Sequence, residues 1–208
     1  MRAFPLGFLL WLFLLPLAAQ QAPSASSAHG KPHTKVPDAG IITDGVYHNS
    51  WFGFTYKIPF GWVERTDSMR DDASDPAKSL ALLAVFERPP EVTTGEGVNA
   101  AVVIAAESVT SYPGVKQPAD YLGVVTQLAA AKGLEADGDP YEFAAGATKL
   151  AREDYKKRKG TAGVLQTSLA MNLKGYFVCF TFIAGSEDQI EDLIAGLRFP
   201  AVQSSPRK

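Results

Sequence analysis

The sequence predicts an α+β domain, an antiparallel β-sheet flanked by helices. Three observations carry that prediction. Period-two alternation and short apolar runs dominate the chain from Val46 onward. Neighbouring runs are joined by turn-length connections, and only two segments repeat their apolar residues at helical spacing. A βαβ series would interleave strand and helix along the whole chain, and this order does not.

The elements follow in order. Met1-Arg2 and the apolar run Phe8 to Leu15, followed by Ala18-Ala19-Gln20, read as a signal peptide over 1–20 with cleavage near Ala19. The run is shorter than the ~20 apolar residues that span a bilayer, and no Cys follows it for lipid attachment. Residues 21–45, rich in Ala, Ser, Pro and Lys, read as a flexible linker. His29 and His33 lie there, and two ligands on a floppy tether make a poor metal clip. The domain is expected over 46–200, with 201–208 as a disordered tail.

Phe52, Phe54, Tyr56 and Ile58 alternate with Gly53, Thr55 and Lys57, a half-buried strand closed by Pro59-Phe60-Gly61-Trp62 as a turn and aromatic plug. Leu80 to Glu87 and Asn99 to Val109 are strand-like, and the second, apolar on both faces, should be a central strand covered by helices. Pro118 opens a helix whose stripe is Tyr121, Leu122, Val125, Leu128 and Ala129, with Gly133 as its stop. Strands follow at Tyr141 to Ala145 with Thr148 to Lys156, Val164 to Leu173, and Tyr176 to Ala184, with hairpin turns at Lys156 to Gly160 and Asn172 to Gly175. Ser186 and Gln189 form a capping box for a last helix that buries Ile190, Leu193, Ile194 and Leu197, and Leu197-Arg198-Phe199-Pro200 ends the domain.

Two stretches add a resemblance. The run from Tyr47 to Trp62, with its Gly53-Phe54 strand and Pro59-Phe60-Gly61-Trp62 turn, is similar to the opening of the PsbP-like superfamily. The Gly175-Tyr176 strand, the Ser186-capped helix and Leu197-Arg198-Phe199 resemble its close. The resemblance spans Val46 to Phe199 and implies a single α/β sandwich around an antiparallel sheet, in the secreted bacterial branch of the superfamily. Its motifs are packing motifs, and one fold hosts many functions, so it transfers no functional residue.

Composition narrows the chemistry. Twenty Lys and Arg against 22 Asp and Glu give a net charge of −2, one unit lower without Arg2, so no global attraction to nucleic acid exists. A hydrophobic fraction of 46% with 20% charged residues argues against a disordered chain. A single Cys forbids an internal disulfide and Cys-based metal centres. Cys179, between aromatic residues, should be buried and inert rather than nucleophilic. His48 is the only His near the domain, and no Gly-x-Ser-x-Gly or metal-binding His pair accompanies it. Asp67, Asp71, Asp72 and Asp75 surround Arg70 without the spacing of a calcium loop, so a solvated loop is the better reading. Glu153 and Asp154 are neighbours in a strand and face opposite ways, which prevents them from pairing. No catalytic, cofactor or metal residue is therefore assigned, and no cofactor is implied.

Two features remain as candidate interaction surface. Trp51 has the opposite parity from Phe52 and Phe54 and is the aromatic residue expected to be exposed. Lys156, Lys157, Arg158 and Lys159 form the one dense basic run, either a solvated hairpin tip or an electrostatic docking point. The expectation is a non-catalytic secreted or periplasmic module that binds a protein or cell-envelope partner, with no nucleic acid and no transmembrane segment after cleavage. Partner identity and oligomeric state are not legible. Two alternatives have their own marks. An enzyme of unfamiliar type needs two inward carboxyls of raised pKa in one cleft. A small apolar ligand carrier needs an enclosed pocket between sheet and helix.

Overall fold

The computed structural model describes residues 36–71, 75–92, 97–157 and 163–200. The signal segment, His29, His33, Asp72, Arg158, Lys159 and 201–208 lie outside the described residues.

The described chain opens with a hairpin. β1 (Ile41–Thr43) and β2 (Val46–Asn49) pair antiparallel across Asp44-Gly45. Both turn residues have positive φ, 52° and 73°, the backbone twist that a two-residue hairpin loop demands. The strand structure thus starts inside the segment read as linker: Asp-Gly between two β-branched runs was the signal for it, and it outweighs the tether-like composition before it. β3 (Phe54–Lys57) returns alongside β2 and pairs Tyr47 with Tyr56 and Asn49 with Phe54. Phe52 is buried but sits in the preceding turn, where its N–H donates to Asn49 Oδ1 at 2.8 Å.

Next come β4 (Val63–Glu64), helix α1 (Thr66–Asp71), β5 (Ser79–Phe86) and β6 (Ala101–Ser108). A short 3-10 turn, Val109–Ser111, leads to α2 (Pro118–Ala131). Gln117 and Asp120 cap α2 reciprocally, with Asp120 Oδ2 accepting the Gln117 N–H at 3.2 Å. β7 (Leu134–Ala136), β8 (Tyr141–Ala145), β9 (Thr148–Lys157), β10 (Leu165–Leu173) and β11 (Tyr176–Ala184) follow. The chain closes with α3 (Glu187–Ile194) and β12 (Leu197–Arg198). Ser186 Oγ accepts the Gln189 N–H at 3.2 Å, and Gln189 Oε1 reaches one residue further back than a capping box requires, to the Gly185 N–H.

The strands form two sheets, and every pairing is antiparallel. The small sheet runs β1-β2-β3-β12 and the large one β4-β5-β6-β11-β10-β9-β7, with β8 also on β9. The main core lies between the small sheet with α3 and one face of the large sheet. Phe54 meets Phe180 edge-on at 5.0 Å between ring centroids, a geometry worth about 0.5–1.5 kcal/mol beyond the area it buries. On the opposite face α2 packs against β9 and β10, and Tyr121 stacks on Phe177 at 4.7 Å.

Four expectations are corrected. β6 is not sandwiched by helices alone, because Val102, Ile104 and Ala106 face the small sheet. Leu197-Arg198 does more than end the domain: it pairs with Tyr56 and Thr55 and completes the small sheet. Leu128 is 41% exposed and lies off the buried stripe of α2. Phe60, expected to plug the core, projects fully into solvent at 105% relative exposure, and Trp62 is the turn residue that packs inward.

Candidate interaction surface

Trp51 lies in the turn before β3, so strand parity does not govern it. It is half-buried against the main core. Lys174 Nζ stands 5.3 Å from its ring centroid and donates to the Trp51 carbonyl at 2.6 Å. Among the described residues the aromatic side chain most offered to solvent is Phe60, not Trp51.

Lys156 and Lys157 are the last residues of β9, and adjacent strand residues point to opposite faces. Lys156 Nζ is bonded to Asp137 Oδ1 at 2.5 Å, which raises its pKa and neutralises its charge locally. Lys156 pairs with Leu165 at one end of β10, and Lys174 follows Leu173 at the other. At about 3.3 Å per residue, Trp51 and the lysines stand roughly 30 Å apart and form no common surface.

Of the acidic loop, Asp67 is bonded to Arg70 at 3.0 Å and Asp75 to Lys78 at 3.7 Å. No group of three metal-ligating side chains occurs among the described residues. His48 is exposed on β2. Cys179 is buried on β11, and burial pushes its thiol up to about 12.

Two carboxyls are buried on the α2 side of the large sheet. Glu107 is the penultimate residue of β6 and lies beneath two tyrosines. Tyr112 and Tyr121 both donate their hydroxyls to its Oε2, the latter at 3.1 Å, and burial raises its pKa against their pull. Its mark in the sequence is an acidic residue at the end of the apolar run from Ala100. Glu153, on β9, is only 3% exposed. Burial, with Asp139 and Asp154 nearby, raises it to about 7. Its neighbour Asp154 does face the other way, held by Arg152, Tyr141 and Thr167. Glu153 aligns through Ser168 and Thr181 with Val103, four residues from Glu107 on β6. Three strand spacings and four residues of rise separate the two carboxyls by about 20 Å. Paired-carboxylate hydrolysis needs them within ~10 Å.

The described residues do leave one apolar strand uncovered. Ile41 is 66% and Ile42 46% exposed, on opposite faces of β1, the outermost strand of the small sheet. Thr43 and Val46 close the two-residue hairpin as its bonded pair, so the Ile42 N–H and C=O point away from β2 to the free edge. The strand is firmly placed. Asn49 Nδ2 donates to the Asp38 carbonyl at 3.1 Å, and Tyr47 Oη and Arg70 Nη2 both donate to the Ala39 carbonyl. The Ile58 N–H donates to the Gly45 carbonyl at 2.9 Å, which sets the Phe60 turn beside the hairpin tip. A cavity of about 370 Å³, lined by Thr126, Ala130, Gly133, Leu134, Glu135 and Ala136, lies between α2 and β7 and opens to solvent.

No family model and no curated protein sequence matches the chain. Among solved structures it is similar to the cyanobacterial PsbP (CyanoP) of Synechocystis sp. PCC 6803, with 11% identity over 84% of this chain and 98% of that one, at a TM-score of 0.47. It is also similar to LpqN, involved in cell envelope biogenesis of Mycobacterium tuberculosis, with 14% identity over 71% of this chain and 83% of that one, at a TM-score of 0.37. Likeness at this level concerns the arrangement of strands and helices, and what those proteins do stays with them.

Proposed function

We propose that this chain is an exported, non-catalytic binding module of the PsbP-like kind, whose domain docks a protein or cell-envelope partner through the β1 edge. The observation that carries the reading is the uncovered Ile41–Ile42 pair on the free edge strand of the small sheet, together with the fully exposed Phe60 in the turn that follows β3. Full burial of such a side chain gains about 1.5–3 kcal/mol, so a partner that covers all three gains several. Trp51 is a weaker candidate because Lys174 already covers it, and Lys156 because Asp137 already neutralises it. The signal-like segment at 1–20 supports export, and the composition of the stretch that follows supports a tether. The enzyme alternative loses support from the distance between Glu107 and Glu153. The carrier alternative loses support because the α2–β7 cavity is open.

The test is saturable capture of an envelope component by the tagged exported protein, compared with an Ile41→Ser, Phe60→Ser variant. The variant should keep its melting temperature and lose most of the capture. Equal capture by both proteins, or none by either, overturns the reading.

A further inference from the structure

We infer that β1 accepts an extended, cationic segment of the partner as an added strand beside Ile42, an inference that rests on the proposed docking edge. Three observations converge on this occupant. The first is backbone chemistry: the outward N–H and C=O of Ile42 form an edge that another backbone satisfies best. The second is side-chain chemistry. Ile41 and Ile42 stand on opposite faces of β1 and both are exposed, so a strand that alternates its side chains across the same two faces covers them together.

The third is charge. Asp38 precedes β1 and Asp44 occupies its hairpin tip, and both are exposed. Arg70 Nη2 reaches the Ala39 carbonyl at 3.3 Å, which brings α1 with exposed Asp67 and Asp71 beside the entry to β1. Arg70 pairs with Asp67 at 3.0 Å and offsets one of these four carboxylates, which leaves the edge net negative. Arg70 is engaged by Asp67 and by the carbonyls of Ala39, Ala81 and Leu82, and Lys57 lies two strands away on β3. A basic strand is therefore attracted and an acidic one repelled, over a range of about 8 Å at physiological salt.

The probe is a blocked seven-residue peptide of alternating valine and lysine, set against its valine–glutamate counterpart, with the exported protein as purified. The lysine peptide should bind, slow amide exchange at Ile42 at least fivefold, and weaken as salt rises. Ile42→Pro removes the outward donor without touching a β1–β2 bond, and should weaken binding at least tenfold. Asp67→Asn with Asp71→Asn alters only exposed side chains, and should weaken binding severalfold and flatten its salt dependence even if the proline variant folds poorly. Equal binding of the glutamate peptide, binding without protection at Ile42, or indifference to the Asp67 and Asp71 changes overturns the inference. If the lysine peptide fails while envelope capture still depends on Ile41 and Phe60, strand addition falls and the docking edge stands. If capture is also indifferent to Ile41 and Phe60, both fall.

Discussion

Tyr47 and Arg70 meet at one atom. The carbonyl oxygen of Ala39 accepts the Tyr47 hydroxyl at 2.8 Å and Arg70 Nη2 at 3.3 Å. Tyr47 belongs to the small sheet, and Arg70 to the helix lying on the large one, so this atom ties both layers to the segment leading into β1. Arg70 is fixed in turn by the carbonyls of Ala81 and Leu82, where β5 shifts register against β6.

Arg70→Met should therefore lower stability by about 1–3 kcal/mol, since it leaves partly buried carbonyls without their charged donor. Amide exchange should quicken at Ile41 to Thr43 more than in β10 or β11. Chemical denaturation with residue-resolved exchange tests both. Uniform acceleration across the domain would show that Arg70 acts globally and not as a latch on β1.

Two buried tyrosines should behave oppositely. Tyr121 donates to the buried Glu107, and Tyr121→Phe should cost about 1–3 kcal/mol. The Tyr56 hydroxyl is buried with no hydrogen-bond partner among the described residues. Tyr56→Phe should be neutral or stabilising, because it removes a desolvated polar group that nothing repays. Equilibrium urea unfolding of the two variants decides the contrast.

Glu153 gives stability a pH dependence of known sign. Its carboxyl rises from the ordinary 4.5 to about 7 in the folded protein, so the native state holds this proton more tightly than the unfolded chain. The contribution is fully favourable below pH 4.5, declines as pH rises toward about 7, and is flat above. Glu153→Gln should remove that decline and be more stable than the parent at pH 8. A parent and variant with parallel stability curves between pH 5 and 8 would refute it.

Cys179 should resist thiol reagents in the native protein. Only the thiolate reacts, and burial pushes this thiol up to about 12. Labelling should proceed at the rate of unfolding, and labelling at the rate of a free thiol without denaturant would contradict the burial.

Reversal of Lys156, Lys157, Arg158 and Lys159 to Glu should leave partner capture unchanged, since Lys156 is already neutralised and the β1 edge lies elsewhere. It should lower stability only slightly, as exposed pairs do, through repulsion between residue 156 and Asp137. Lost capture at low salt would move the docking surface to this turn.

What the sequence determined by itself was local. Alternation around Phe54 and Tyr56 marks a strand, Pro118 starts one helix, and Ser186 with Gln189 starts the other. Each signal lies within a few residues, because backbone hydrogen bonds, caps and side-chain periods are short-range. Asp44-Gly45 was equally local, and only the Pro-, Ser- and Ala-rich stretch ahead of it hid the hairpin. The tertiary structure decided the rest. Leu197 joins the small sheet by pairing with Tyr56, 141 positions earlier in the chain. Register across β6, β11, β10 and β9 puts Glu107 and Glu153 far apart. Phe60 and Trp62 share one turn, yet one faces water and the other the core. Such outcomes depend on which distant segment covers a side chain, and that is settled only when the layers pack.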